Sequence, residues 1–309
     1  ETQGGDTLAL TVSARKLQDI LRALPDGVEV ILDVQNNRLQ IRAEKSRFNL
    51  QTLPASDFPT LADPGGMLAR IVLKQRELRD LLLLVQYAMA QQDIRYYLNG
   101  LLLVLDAEQI RVIATDGHRL GYAVGCIAKQ DEKREVILPR KAVMELGKQL
   151  QESDDEVEIE IYAAQLRFRF STIELVTKTI DGKFPDYTRV IPTGYHKQIN
   201  LDRNALLQTL LRVGILSNEK FRGVRWVLSS NSLRISCTNN EQEEAQEELQ
   251  VPYAGEALDM GFNITYLLDV LTNVHGDTVS CSFEDANSSM LVTMSNKPDF
   301  RYVVMPMRI

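Results

Sequence analysis

The chain has 309 residues, of which 44% are hydrophobic and 25% charged, and its formal net charge is -7. These values fit an ordinary globular chain of about two domains' length, and no apolar run approaches the ~20 residues of a membrane helix, the run Leu81 to Val85 breaking at Gln86. Three widely spaced cysteines, Cys126, Cys237 and Cys281, argue against a disulfide framework or a CxxC metal site and are expected as buried or half-buried free thiols.

The polar start, Glu1 to Asp6, carries no basic-then-apolar signal pattern, which makes cytoplasmic residence the expectation. A helix pattern over Ala14 to Leu24 opens the periodic text; alternating strands follow at Val28 to Leu32 and Arg38 to Arg42, and the segment closes at Asp57-Phe58-Pro59. Next comes a Leu-rich helix, Gln75 to Met89, then a polar, basic connector, Gln91 to Tyr97, and strands near Leu101 to Leu105 and Gln109 to Ala114. A helix over Arg140 to Gln151 precedes strands Val157 to Ile161 and Leu166 to Phe170, closing at Lys183-Phe184-Pro185-Asp186. The helix Arg203 to Val213 leads through Ser217 to Gly223 into strands Val224 to Leu228 and Ser232 to Cys237. The last helix, Asn263 to Val274, precedes a strand at Val279 to Phe283 and the terminal stretch Val303 to Ile309.

These segments alternate between two kinds of half-unit and repeat at roughly 125 residues, far beyond solenoid periods, so the repeating unit is a whole domain. Five half-units beginning inside a repeat predict two complete α+β domains and half of another, over residues 1–65, 66–192 and 193–309. Basic residues gather at helices and their entries, whereas acidic residues form runs at Glu152 to Glu156 and Glu241 to Glu248. Helices lining one surface would give this acidic chain a basic face. Solvation of amphipathic helices explains the same residues, and the helix Asn263 to Val274 lacks Lys and Arg altogether.

Motifs for chemistry are mostly negative: GxxxxGK[ST], GxGxxG after a strand, HExxH, GxSxG and CxxC do not occur, and His118, His196 and His275 form no ligand spacing. Asp116 and His118 lie two apart beside Gly117, but a catalytic pair needs a third partner that the sequence does not nominate; a strand end and tight turn accounts for them.

The segments Tyr96-Tyr97-Leu98-Asn99-Gly100, Ala114-Thr115-Asp116-Gly117-His118-Arg119-Leu120, Phe184-Pro185-Asp186-Tyr187, Leu216 to Val224 and Val304-Met305-Pro306-Met307-Arg308 resemble bacterial DNA polymerase III beta subunits, the replicative sliding clamps. The similarity runs from about Leu8 to Ile309 and implies the DNA clamp fold: a head-to-tail homodimeric ring with helices inside and sheets outside. It also implies that roughly the first 57 residues of the family are lacking. No cofactor and no catalytic role are expected; non-encircling scaffolding, or an enzyme using Asp116 and His118, stands as the alternative.

By this resemblance, duplex DNA would be held without sequence preference by Arg15, Lys16, Arg140, Lys141 and Arg203, with Gln92, Arg95, Tyr96 and Tyr97 touching it from the connector. Core packing is an equal reading for the two tyrosines. Polymerase III alpha subunit, clamp loader, other polymerases and repair proteins would dock short linear motifs in a pocket. Its expected lining is Leu98, Thr115, Gly117, His118, Arg119, Leu120, Pro185, Arg189, Val190, Asn263, Tyr266, Val303, Val304, Met305, Pro306, Met307 and Arg308, with Phe221 at the edge. Ring closure would set Lys16, Lys45, Arg47, Phe48 and Leu50 against Ile215, Leu216, Glu241, Glu243, Glu244 and Glu247.

Overall fold

The computed structural model describes Ala9 to Arg308; the polar start Glu1 to Asp6, the first matching residue Leu8 and the final Ile309 lie outside the described residues. Two compact units are present, residues 1–63 and 64–309.

In the first unit a helix, α1 (Ala14–Ala23), precedes an antiparallel sheet of Ile31–Gln35, Arg38–Ala43 and Ser46–Gln51, while Leu10–Thr11 pairs with Leu53–Pro54. Asn36 and Asn37 make the first hairpin turn with φ of 52 and 58, the left-handed region that Asn tolerates. Burial is confined, among the described residues of this unit, to Leu39, Ile41 and Ala43 on the central strand, and α1 buries no residue. The strand expected from Val28 starts instead at Ile31. Residues 25–28 form a turn in which the Val28 N–H donates to the Pro25 carbonyl and Gly27 takes φ 78, so the pairing cannot begin earlier.

The second unit holds four half-units, each a strand, a helix and three more strands. Their helices are α2 (Gln75–Val85), α3 (Arg140–Gln149), α4 (Arg203–Val213) and α5 (Ile264–Asn273). The strand ahead of each helix does not pair within its own half-unit. Ala69–Lys74, before α2, pairs with Glu156–Ile161, after α3; Arg134–Pro139, before α3, pairs with Gly100–Asp106, after α2. The later pair of half-units repeats the exchange, Lys197–Asp202 pairing with Thr278–Phe283 and Leu258–Asn263 with Gly223–Ser229. Each pair of half-units is thus closed by reciprocal loans of a strand.

Arg119–Cys126 pairs with Lys297–Val304, which joins strands of both pairs of half-units into one eight-stranded sheet. The expected boundary near residue 192 therefore falls inside a single compact unit. Helix α2 buries Leu78, Leu81, Leu82, Leu84 and Val85, and it sits so close to the sheet that a Cβ on Gly121 would lie 3.1 Å from the Val85 Cα.

Three further expectations are corrected. The helix expected to reach Met89 ends at Val85, and Gln86–Ala88 tighten into a 3-10 turn in which the Met89 N–H donates to the Gln86 carbonyl. This leaves the Tyr87 carbonyl to accept from Arg119. Each half-unit has three strands after its helix rather than two; the acidic run over Glu244–Gln250 is one of them, an edge strand that alternates exposed and half-buried positions, with Ala245 and Leu249 packed against the core. Finally, Cys237 and Cys281 are buried, but Cys126 is exposed at the end of its strand.

Candidate peptide-binding site

The segment 114–120 is a strand end, a turn and a strand start, as its Asp-Gly pair predicts. The Thr115 hydroxyl donates to the Arg119 carbonyl at 2.6 Å and accepts from the Gly117 N–H at 3.0 Å, while Asp116 Oδ1 accepts from the His118 and Arg119 N–H groups at 2.9 and 3.1 Å. Gly117 takes φ 93. Where the strand Lys297–Val304 ends, the Met305 N–H donates to the His118 carbonyl at 2.9 Å and fixes the terminal stretch against this turn.

Two loops fold over the strand ends. In the connector, Arg95 is clasped by Asp93, its Nε donating to Oδ1 at 3.0 Å and its Nη2 to Oδ2 at 2.8 Å, and it donates to the Asp116 carbonyl at 3.1 Å. The Phe184-Pro185-Asp186-Tyr187 loop buries Phe184 beside Leu98, Leu102, Leu120 and Val303. Between the loops lies a cavity of about 180 Å³ lined by Leu98, Thr115, Gly117, Arg119, Leu120, Pro185, Val190, Val303 and Met305, with Arg95 and Tyr187. The first nine are expected pocket residues. Arg95 was expected on DNA, and Tyr187, missed as a lining residue, stood in plain view within the Phe-Pro-Asp-Tyr motif.

Beneath the cavity the Arg119 guanidinium is fully engaged. Nε donates to Asp116 Oδ2 at 3.0 Å, Nη1 to Asp269 Oδ2 at 2.5 Å and Nη2 to the Tyr87 carbonyl, and Cζ lies 4.3 Å from the Tyr266 ring centroid. Burial opposes its charge, but Tyr302, Asp269 and Asp116 outweigh that and raise its pKa. The Arg119 charge is therefore met by Asp116 and Asp269 rather than left vacant.

The remaining expected pocket residues divide among neighbouring places. His118 and Tyr266 line a depression of about 350 Å³ with Asp93 and Arg95, and Phe221, Met307 and Arg308 line a groove of about 940 Å³ over the strands Gly223–Ser229 and Leu258–Asn263. The Met307 N–H donates to the Gly261 carbonyl at 2.8 Å, Pro306 is half-buried, and Val304 is core. Four residues line none of these depressions: besides Val304 and Pro306, Arg189 is exposed and paired with Asp186, and Asn263 caps α5 by accepting from the Thr265 N–H.

Of the residues expected on DNA, Arg15, Lys16, Gln92, Tyr96 and Lys141 are exposed, and Tyr97 is half-buried with its ring edge-on to Tyr96. Arg140 and Arg203 turn inward instead. Arg140 Nη1 donates to the Met89 carbonyl at 3.2 Å, and Arg203 donates to the Gly276 and Leu271 carbonyls at 2.9 and 2.8 Å. Among the expected interface residues, Lys45 and Arg47 are exposed, with Phe48 and Leu50 half-buried on the edge strand Ser46–Gln51. In the second unit Ile215 is 77% exposed, Leu216 half-buried, and Glu241, Glu243 and Glu244 exposed at or beside the edge strand Glu244–Gln250. Glu247 is held by a bidentate pair with Arg212 at 2.5 and 2.7 Å.

Among the described residues no group of three or more His, Cys, Asp or Glu is placed to hold a metal, and no helix is long and apolar enough to cross a membrane. Doubled half-units of helix and antiparallel sheet, with a small apolar cavity at the strand ends, define the DNA-clamp class of protein. Family models of the DNA polymerase III beta subunit match in chain order, the N-terminal domain over residues 2–62, the central domain over 72–186 and the C-terminal domain over 188–308. The chain belongs to this family, whose members are sliding clamps: processivity factors rather than enzymes. The beta sliding clamp of Pseudomonas aeruginosa is 45% identical, and that of Escherichia coli K12 41% identical, each over 301 residues that cover 97% of this chain and 82% of the relative. A crystal structure of the Pseudomonas aeruginosa DNA polymerase sliding clamp with ligand superposes with a TM-score of 0.88 at 44% identity, covering the same shares. These matches do not support the expectation that roughly the first 57 residues of the family are lacking. The enzyme reading of Asp116 and His118 is set aside, because Asp116 is spent on bracing the turn and on Arg119.

Proposed function

We infer that this sliding clamp closes head to tail with a second copy around duplex DNA in the cytoplasm and captures its users as short peptides in the 180 Å³ cavity. The observation that carries peptide capture is the lining itself. Leu98, Leu120, Val190, Val303, Pro185 and Met305 offer an apolar floor with polar groups of Thr115 and Arg95 at its side. That is the pattern of peptide-motif sites, and the volume lies below the ~300–1,000 Å³ of small-molecule pockets, a size for one or two side chains. The partners of this reading are polymerase III alpha subunit, clamp loader, other polymerases and repair proteins. With the full chain, Val190→Asp would put a charge on the cavity wall, and anisotropy with a labelled clamp-binding peptide of the alpha subunit should report at least a tenfold loss, roughly the effect of burying an unpaired charge. Undiminished affinity sinks the assignment.

Diffuse contacts from Arg15, Lys16, Lys141, Gln92 and Tyr96 would attract DNA without fixing a register, as sliding requires. Ring closure is favoured by edge strands of opposite charge, Ser46–Gln51 with Lys45 and Arg47, and Glu244–Gln250 with Glu243 and Glu244, which suits strand addition in a heterologous contact. Domain limits of 1–65, 66–192 and 193–309 belong to this reading. Retention on nicked circular DNA and release on linearisation is the expected result, and equal retention on both forms would favour the scaffold.

A further inference from the structure

We propose that Asp269, on α5, is a positioning residue of the peptide cavity, setting its affinity through Arg119 without touching the peptide. This rests on the peptide-capture reading above. Asp269 does not line the cavity, yet its carboxylate holds one branch of the guanidinium that underlies it, at 2.5 Å. The guanidinium is a rigid planar fork, so its three engaged nitrogens fix one orientation together. One nitrogen is on Asp269 of α5, one on the Tyr87 carbonyl beyond α2, and one on Asp116 of the turn.

Asp116 is the link to the cavity mouth. The same carboxylate that takes Arg119 Nε also takes the His118 and Arg119 N–H groups. The turn so braced supplies Thr115 and Gly117 to the lining, and its His118 carbonyl anchors Met305. A second strut supports the arrangement: Tyr266, packed on the guanidinium, accepts at its carbonyl from the Tyr302 hydroxyl at 3.0 Å, and Tyr302 neighbours the lining residue Val303. Charge-assisted bonds to an arginine whose side chain is only 10% exposed are the strong kind, and losing the α5 partner leaves Asp116 as the one carboxylate paired with that charge. The fork then swings, and Thr115, Gly117 and Met305 move with it.

The test uses the full chain and the labelled alpha-subunit peptide. Asp269→Asn keeps the shape and one acceptor but removes the charge, and Asp269→Leu removes both. Each should weaken the peptide roughly threefold to thirtyfold, the leucine variant more. A merely structural role would not produce two further results. Asp269→Asn combined with Arg119→Gln should bind no more weakly than Arg119→Gln alone. Amide exchange should quicken at Gly117, His118 and Arg119 while that of Leu101 to Leu105 stays unchanged. Unchanged affinity in both Asp269 variants, or strictly additive losses, overturns the proposal. If Val190→Asp abolishes binding in the same series, the cavity reading survives that failure; if Val190→Asp binds normally, the cavity reading itself has failed.

Discussion

Arg140 and Arg203 illustrate what residue identity leaves open. Both stand at helix entries among other basic residues, a placement compatible with a DNA-facing surface, yet their guanidinium groups donate to main-chain carbonyls of neighbouring segments. Spacing in a sequence tells which residues are basic and where the helix begins; whether a long side chain reaches out or folds back depends on carbonyls brought near by packing. Arg95 makes the same point in reverse, since Asp93 clasps it over the cavity. Hydrogen bonds from Arg95 hold the Asp93 pKa at about 2, below its usual 3.8. Because the folded value is the lower one, the contribution of the clasp is complete above the usual value and disappears as pH falls through about 2. A carbon-detected NMR titration should therefore find Asp93 still ionised at pH values where free aspartate is half protonated. A midpoint at the ordinary value would mean that the clasp is open in solution.

At the scale of elements, helices and central strands were legible because their burial follows a simple period. α4 ends where its pattern predicts, and the strand Gln165–Phe170 alternates buried and half-buried positions along most of its length. Edge strands were not legible, since a strand such as Glu244–Gln250 has one partner, buries none of its residues fully and is rich in carboxylates. Nor did the sequence declare which sheet each leading strand joins; that is a tertiary choice. Close packing of α2 makes one strong demand at this scale. Gly121→Ala would force a methyl group against the Val85 backbone, and we expect urea denaturation to show a loss of about 1–3 kcal/mol. Gly125→Ala should be milder, because its nearest atom is the tip of the Leu81 side chain.

For the whole molecule, every residue lining the 180 Å³ cavity lies in the second unit. A shortened chain of residues 64–309 should accordingly keep its peptide Kd within about twofold, distant sites being close to independent, while losing the self-association assigned to Lys45, Arg47, Phe48 and Leu50. Titration calorimetry and sedimentation would check the two halves of that statement separately. The reciprocal loan of strands also bears on how the protein is made. Ala69–Lys74 has no partner until Glu156–Ile161 has been synthesised. At about 5–20 residues per second, a ribosome leaves that strand waiting for roughly 4–20 seconds, far longer than local helices and hairpins take to form. During that interval the nascent chain carries a bare apolar edge, so chaperone occupancy during translation should peak before Ile161 emerges and fall once it does.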